Sequence, residues 1–311
     1  MRLSRTPLAL AAGATVMAAL AACGTSSNPL ASTPASAGGS SGATSAAVTV
    51  GSANFPESVL LGWVYAKALE AKGVKVTTKL NIGSREVIYK QIVSGGLSIL
   101  PEYNGALLAY LDPKATALST ADVDTALAAK IDPALTILEP ASAEDKDSLV
   151  VTQETAGKYN LKSIPDLAAS AKDLVIGGPP EFKTRQQGIL GLQSVYGLTF
   201  KEFKSLDVAG PITVAALKNG DVQAADLFST DPNIVQNSFV VLDDPKNLFG
   251  AQNIIPLVNK TVLSDTVTST LNAISAKLDT ATLAGLVKKV VTDKDDPDTV
   301  AAEWLTSVGL A

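Results

Sequence analysis

Short runs rich in β-branched residues alternate with longer helical stretches from Val48 to the end of the chain, and this alternation limits the choice of fold more than any other feature. Pro56 followed by Glu57 favours a helix start directly after the first run. Such alternation predicts an α/β fold with mainly parallel sheets covered on both faces. Strands are predicted at residues 48–51, 74–80, 88–93, 135–138, 148–152, 174–176, 240–242 and 254–258.

The region from residue 48 to residue 311 is longer than one ordinary core requires, which predicts two lobes. Residues 141–147 and residues 248–253 each lie between two predicted strands, and we interpret them as two crossings between the lobes. Lobe one is then built from residues 48–147 plus 249–311, and lobe two from residues 148–248. This arrangement has a cleft between the lobes and a hinge behind it; two independent tandem domains fit the spacing equally well.

The amino-terminal residues have the features of an export signal. Arg2 and Arg5 precede an apolar run at residues 8–20 that is too short to span a bilayer comfortably. The string LAAC that ends at Cys23 resembles a bacterial lipobox. Residues 1–22 are therefore predicted to be a lipoprotein signal peptide, although an ordinary signal peptide beside an incidental Cys is an alternative.

Cys23 is the predicted site of lipid attachment. Nearly every residue after it, up to residue 47, is Gly, Ala, Ser, Thr or Pro, and such a segment has too little to bury to offset the entropy of ordering it. Residues 23–47 are therefore expected to be an acylated Cys and a disordered tether. The protein is expected to be exported and lipid-anchored to the outer face of the cell membrane.

Composition excludes several kinds of chemistry. The chain has no His and a single Cys, so one copy of it cannot form a Ser-His-Asp triad, a Cys-His dyad, a His-ligated zinc site or a disulfide framework. Its 25 Lys and Arg against 30 Asp and Glu give a net charge of −5, which argues against a nucleic-acid partner. No clustered set of side chains indicates a metal, and nothing calls for a cofactor.

Several short strings along the chain resemble, in their order, the substrate-binding proteins of ABC importers for osmoprotectants such as glycine betaine and choline. Each string is weak alone, and the ordered set is specific. The strings are GSANFPES at residues 51–58, GS at 83–84, PEYNG at 101–105, EF at 181–182 with Arg185, YGL at 196–198, LKNGDV at 217–222 and STDP at 229–232.

This resemblance implies a two-lobe periplasmic-binding-protein fold, type II-like and of the betaine-binding class, with two hinge crossings. It implies a monomeric, non-enzymatic protein that closes around a small solute such as glycine betaine, choline or a related quaternary amine. The implied partners are an ABC permease in the membrane and its cytoplasmic ATPase.

In the family that the chain resembles, a quaternary ammonium sits among Tyr side chains, whose π faces attract it. Tyr103 matches one of these positions, whereas Phe228, Asp147 and Gln252 stand where relatives often carry Tyr. The resemblance therefore implies a depleted cage. A fully methylated ammonium is expected to bind less well here than in a four-Tyr relative, and a hydroxylated or aromatic ligand becomes an alternative.

Arg185 matches a family position that reaches the carboxylate of betaine, which a planar guanidinium can hold with two parallel hydrogen bonds. A surface pair with Glu181, four residues earlier, is the alternative for this arginine. Glu181 and Asn54 follow predicted strands, and Thr230 is placed at a corresponding turn of lobe two, so all three are further candidates for ligand contact. Helix capping accounts equally well for Asn54 and Thr230.

Two other functions remain open from the sequence. An exported hydrolase could use a pair of carboxylates among Glu57, Glu102, Glu181 and Asp231, provided that two of them face each other across a substrate. The receptor fold could also serve a sensor or an adhesin that has no importer. The sequence contains no motif that joins two acids into a catalytic pair.

Overall fold

The computed structural model describes residues 47–311. The predicted signal peptide and Cys23 lie outside the described residues, as does the tether up to residue 46. Ten strands are present in the described part: β1 Val48–Ala53, β2 Val76–Gly83, β3 Ile99–Tyr103, β4 Leu135–Ile137, β5 Asp147–Val151, β6 Val175–Gly178, β7 Glu202–Ser205, β8 Ala224–Phe228, β9 Val240–Val241 and β10 Ile254–Asn259.

Helices connect most of these strands. In the described residues they are α1 Pro56–Ala71, α2 Arg85–Val93, α3 Asn104–Leu111, α4 Thr120–Ala128, α5 Gln153–Tyr159, α6 Ile189–Tyr196, α7 Pro211–Lys218, α8 Pro232–Gln236, α9 Asp265–Ser275, α10 Thr280–Lys288 and α11 Pro297–Ser307. The start of α1 follows from its sequence, because Pro56 supplies a fixed helical φ and Glu57 places a carboxylate in the first turn. A short 3-10 turn, Pro180–Lys183, follows β6.

The strands form two five-stranded sheets, which gives the α/β fold that the sequence predicts. Sheet one has the order β2-β1-β3-β10-β4, and sheet two has the order β7-β6-β8-β5-β9. The expectation of mainly parallel sheets is wrong, because β10 runs antiparallel to β3 and β4 while β5 runs antiparallel to β8 and β9. Both antiparallel central strands directly follow a crossing between the sheets.

The predicted strand at residues 88–93 is also wrong. These residues belong to α2, in which Ile88, Tyr89 and Ile92 are buried. That spacing marks one face of a helix, but a short apolar run does not separate helix from strand by itself. Three strands, β3, β7 and β8, have no counterpart among the sequence predictions.

Each sheet is covered by helices on both faces, so both faces of its central strands are largely buried. In β3, Ile99 packs with α1 and the carboxyl-terminal helices, whereas the next residue, Leu100, packs with α2, α3 and α4. In β5 of sheet two, Leu149 and Val150 divide in the same way between two clusters. Cores of this kind hold the strand ends in fixed positions.

The chain crosses between the sheets twice, once between β4 and β5 and again between β9 and β10. The two crossings lie side by side. The backbone N–H of Asp145 donates to the carbonyl of Gln252 at 3.2 Å, that of Ile254 donates to Ala143 at 3.1 Å, and Glu144 pairs with Asn253 in an antiparallel bridge. The paired crossings, residues 141–147 and 248–253, therefore form a two-stranded connection between the lobes, which we call the strap.

Among residues 47–311, no helix is both long enough and apolar enough to cross a membrane.

Candidate functional site

A cavity with about 580 Å³ of empty space, part of it open to solvent, lies between the two sheets. The carboxyl ends of β1 and β3 reach it from sheet one, and the end of β8 and the segment after β6 reach it from sheet two. Because β5 is antiparallel to β8, its first residue, Asp147, lies at the same edge as the last residue of β8. The cavity is thus at the strand-end position where α/β proteins bind ligands.

Three aromatic rings form one group at the cavity. Phe55 from the β1–α1 turn lies with its ring centroid 6.0 Å from that of Tyr103 and 4.9 Å from that of Phe228. Phe55 and Tyr103 belong to the sheet-one lobe, whereas Phe228 ends a strand of sheet two. The ring group therefore spans the cleft and supplies π surface from both lobes.

Gly105, two residues after Tyr103, lets the second crossing segment approach the start of α3 closely. A Cβ at Gly105 would lie 2.0 Å from the backbone oxygen of Ala251. Asn104 and Asn253 lock this approach, because the backbone N–H of Asn104 donates to the carbonyl of Asn253 and the N–H of Asn253 donates to Oδ1 of Asn104. The PEYNG string is thus explained locally by packing.

Glu57 is a buried carboxylate at the junction of the lobes. Its Oε1 accepts a hydrogen bond of 2.7 Å from the hydroxyl of Tyr103, and its Oε2 accepts one of 2.6 Å from the hydroxyl of Thr230 in lobe two. Asp145 lies beside it and accepts from the backbone N–H of Thr230 at 3.0 Å and from the hydroxyl of Ser229 at 3.1 Å. These contacts join the α1 start, the strap and the β8 end.

Burial raises the pKa of Glu57 above its usual range, and the hydrogen bonds from Thr230 and Tyr103 only partly oppose that effect. The pKa of Asp145 is raised well above its usual range by burial and then by the neighbouring charge of Glu57. Burial likewise raises the pKa of the Tyr103 phenol, so this hydroxyl stays protonated and acts as the donor to Glu57.

A second carboxylate of the cavity wall, Glu102, is held by Arg85. The guanidinium donates from Nε to Oε1 at 3.0 Å and from Nη2 to Oε2 at 2.9 Å, and the backbone N–H of Tyr103 donates to the same Oε2 at 3.0 Å. The Glu102 side chain is 3% exposed and that of Arg85 is 11% exposed. This bidentate pair fixes the carboxyl end of β3, where Tyr103 begins its turn into the cavity.

Arg185 lies at the cavity but already holds a carboxylate. Its Nε donates to Oε1 of Glu86 at 3.0 Å and its Nη2 donates to Oε2 at 3.0 Å, which ties the β6–α6 segment of lobe two to α2 of lobe one. The sequence-based alternative, a pair with Glu181, is present as a longer contact of 3.9 Å. Although partial burial acts to raise the pKa of Glu86, hydrogen bonds from Arg185 and Ser84 lower it to about 2.

The structure brings most of the predicted ligand residues to one cavity. Seven of the eight line it, namely Tyr103, Arg185, Phe228, Asp147, Gln252, Glu181 and Asn54. Thr230 lies outside this lining and donates to Glu57 instead. Neither Asn54 nor Thr230 caps a helix, since the cap of α1 is Phe55 and that of α8 is Asp231.

Sequence reasoning missed Phe55, Arg85 and Glu86 as parts of the site. Phe55 was detectable, because it stands inside the GSANFPES string directly after a predicted strand. The two charged residues gave no such signal, since their partners, Glu102 and Arg185, are distant in sequence. Within residues 47–311, no group of three or more possible ligand side chains is arranged to hold a metal ion.

Two lobes, two crossings and a cavity at the facing strand ends define a solute-binding protein of the periplasmic type. Residues 46–307 match the family described as the substrate binding domain of ABC-type glycine betaine transport system. The chain belongs to this family. Its members are extracytoplasmic proteins that bind small solutes and work with a membrane permease and an ATPase, so the hypothesis of a carboxylate-pair hydrolase is not supported.

Individual relatives agree with the family. The chain is 29% identical over 277 residues to glycine betaine-binding protein YehZ of Escherichia coli (strain K12), which covers 84% of this chain and 90% of that protein. It is 27% identical over 274 residues to the glycine-betaine-binding protein of Pseudomonas aeruginosa, covering 82% and 86%. The crystal structure of a glycine betaine/carnitine/choline ABC transporter shares the fold, with a TM-score of 0.66, 23% identity and coverage of 85% of this chain and 99% of that one.

Proposed function

We propose that the cavity captures an osmoprotectant-type solute, namely glycine betaine, choline or a related quaternary amine, between the two lobes. The observation that carries this proposal is the group of three rings, Phe55, Tyr103 and Phe228, which meets at one cavity from both lobes. A methylated ammonium has no strong hydrogen-bond donor, so ring faces are the natural surface for it.

Only one of these rings carries a hydroxyl, and that hydroxyl is committed to Glu57. The ring group therefore offers mainly π faces and apolar contact. A hydroxylated or aromatic solute remains a variant of the proposal, because a flat ring can also stack on Tyr103 or Phe228.

Capture is proposed to occur by closure of the lobes. Support comes from three contacts that cross the cleft: Thr230 to Glu57, Arg185 to Glu86, and the amide of Gln252 to that of Gln187 at 3.2 Å. Separation of the lobes would break all three. A solute favours the closed form only through contacts that it gains there, and the ring group supplies such contacts from both sides.

The wider setting is proposed from the sequence and the family together. Lobe one would comprise residues 48–147 plus 249–311 and lobe two residues 148–248. The mature protein would be a monomer, attached through a lipid on Cys23 to the outer face of the cell membrane and delivering its solute to the permease. Residues 23–47 would then be the tether between the lipid and the lobes.

Calorimetric titration of the protein with glycine betaine, choline, carnitine and hydroxylated aromatics tests the proposed ligand class. Phe228→Leu should weaken binding of a quaternary amine about 5- to 30-fold, because a desolvated cation–π contact contributes about 1–2 kcal/mol. Phe203→Leu is the matched control, since Phe203 packs in the core of the same lobe outside the cavity lining.

Saturable binding that Phe228→Leu weakens and Phe203→Leu leaves unchanged supports the proposal. No saturable heat with any quaternary amine, in protein that unfolds cooperatively, would contradict it.

A further inference from the structure

The cavity lining contains more carboxylates than cations. Among the described residues, its two cations are Arg85 and Arg185. Arg85 donates hydrogen bonds to both carboxylate oxygens of Glu102, and Arg185 donates to both carboxylate oxygens of Glu86. A carboxylate on a solute could reach only the N–H groups that these pairs leave, and the charge of each guanidinium is already compensated by its partner. The acids that line the cavity are Glu102, Asp145, Asp147 and Glu181.

Asp226 lies behind this lining as an uncompensated acid. It is two residues before Phe228 in β8, so both side chains leave the same face of sheet two. Asp147 in β5 pairs directly with Phe228 and shares that face, and both of these strand-end residues line the cavity. Asp226 is 2% exposed, and its Oδ1 has no hydrogen-bond partner within residues 47–311.

The charges around Asp226 do not compensate a negative charge on its carboxyl group. Asp147, Asp145 and Glu181 repel a negative charge there, and Arg185 is the opposing cation. Burial, and then the charge of Asp147, raise the pKa of Asp226 well above its usual range. Burial also raises the pKa of Asp147, although Arg185 and Arg85 oppose that effect. Burial and the neighbouring acids therefore keep these carboxyls from ionising freely.

A solute changes this balance according to its own net charge. A cation placed against the sheet-two face compensates buried negative charge, since an opposite charge within a few ångströms favours the ionised carboxylate. A zwitterion brings the same cation together with a carboxylate. That carboxylate meets like charges, and both guanidinium charges are already compensated by Glu102 and Glu86, so much of the gain is lost.

We propose that the cleft selects solutes of net positive charge over zwitterionic solutes of similar size, and that Asp226 together with Asp147 determines this selectivity. The inference rests on the proposed function, because it assumes that the solute occupies the ring-lined cavity. It adds the charge class of the solute and assigns a role to Asp226, which does not line the cavity itself.

Choline and glycine betaine are the matched probes, since both carry a trimethylammonium and they differ in a hydroxyl against a carboxylate. In calorimetric titrations at pH 7, the wild-type protein should bind choline at least about 10-fold more tightly, a difference of about 1.4 kcal/mol. Asp226→Asn keeps the side-chain shape and should reduce this ratio at least 3-fold, mainly through weaker choline binding. Asp221→Asn, at an exposed position of the same lobe, is the control and should leave the ratio unchanged.

Two further readouts separate selectivity from a merely structural role. Choline affinity should rise between pH 5 and pH 8, with protons released on binding, because the cation favours the ionised form of Asp226 and Asp147. Asp226→Asn should reduce that proton release. Asp226→Asn should also leave the melting temperature of the ligand-free protein unchanged or raise it, because it removes a buried carboxyl whose ionisation opposes folding. This gain in melting temperature should increase as the pH rises.

Equal or tighter binding of glycine betaine by the wild-type protein would overturn this inference and leave the proposed function standing. An unchanged choline-to-betaine ratio in Asp226→Asn would overturn the role of Asp226. Absence of saturable binding for every quaternary amine would overturn the proposed function as well. If Asp226→Asn does not fold, Asp147→Asn carries the same test, because Asp147 lines the cavity and shares the face.

Discussion

Replacing Tyr103 with Phe keeps the ring and removes the hydroxyl that donates to Glu57 at 2.7 Å. Glu57 is 3% exposed, so water cannot readily replace the lost donor. A hydrogen bond to a charged group contributes about 1.5–3 kcal/mol to stability, against about 0.5–1.5 kcal/mol when both partners are neutral. The cost of Tyr103→Phe therefore depends on whether Glu57 is ionised.

The direction of this pH dependence follows from the raised pKa of Glu57. A carboxyl whose pKa is higher in the folded than in the unfolded state adds stability at low pH, and that stability is lost as the pH rises through the folded pKa. Tyr103→Phe removes a donor that favours the ionised form, so it raises the pKa of Glu57 further. The destabilisation should thus be larger at pH 8 than at pH 5.

Thermal unfolding of the ligand-free protein at both pH values measures the effect. At about 2–4 °C per kcal/mol for a domain of 150–250 residues, the melting temperature should fall by about 3–12 °C at pH 8 and by about 1–6 °C at pH 5. Tyr65→Phe is the control, because Tyr65 is buried in the core of the sheet-one lobe and its loss should show no such pH dependence. Equal losses at the two pH values for Tyr103→Phe would refute the assignment of its hydroxyl to an ionising Glu57.

Two further substitutions test the packing beside the cavity. Gly105→Ala should destabilise by about 1–3 kcal/mol or more in denaturant unfolding, because its Cβ would meet the backbone oxygen of Ala251. Gly285→Ala, in the interior of α10 with nothing within 4 Å of the added Cβ, should instead stabilise by about 0.4–1 kcal/mol, and a similar loss at both glycines would contradict the explanation. Arg85→Met should lower the free energy of unfolding by about 3–5 kcal/mol, because it leaves Glu102 charged and buried. Adding Glu102→Met should recover most of that loss, and no recovery in the double variant would contradict the pairing.

The fold and the family were predictable from the sequence, because both depend on features that extend along the chain. Alternation of strands and helices predicts the α/β class, and the ordered strings identify the family that the comparison confirms. Strand direction was not predictable, since the two crossings were recognised but nothing in their sequence shows that β5 and β10 enter their sheets antiparallel to their neighbours. β3 was missed because it contains Pro101. A proline fits there, since β1 pairs with β3 only at Ile99 and has parted from it by residue 101.

The site was predictable where a residue stands in a family string or directly beside one, as Tyr103 and Phe228 do. That these residues contact a solute stays a prediction. Asp226 could not be identified, because its isolation depends on the register of β8 against β5 and on which acids face it. The partner of Arg185 could not be identified either, since Glu86 belongs to the other lobe and no spacing along the chain joins the two.

The paired crossings have a consequence for how this protein can evolve. Asp145 and Gln252 are linked through the backbone across the strap, and both line the cavity, so the segment about which the proposed closure would bend is also part of the cavity wall. Substitutions that alter the flexibility of the strap are expected to shift that wall even at positions that do not contact the solute. Affinity and ease of opening are therefore coupled properties, and new solute preferences should arise through the strap as readily as through the rings.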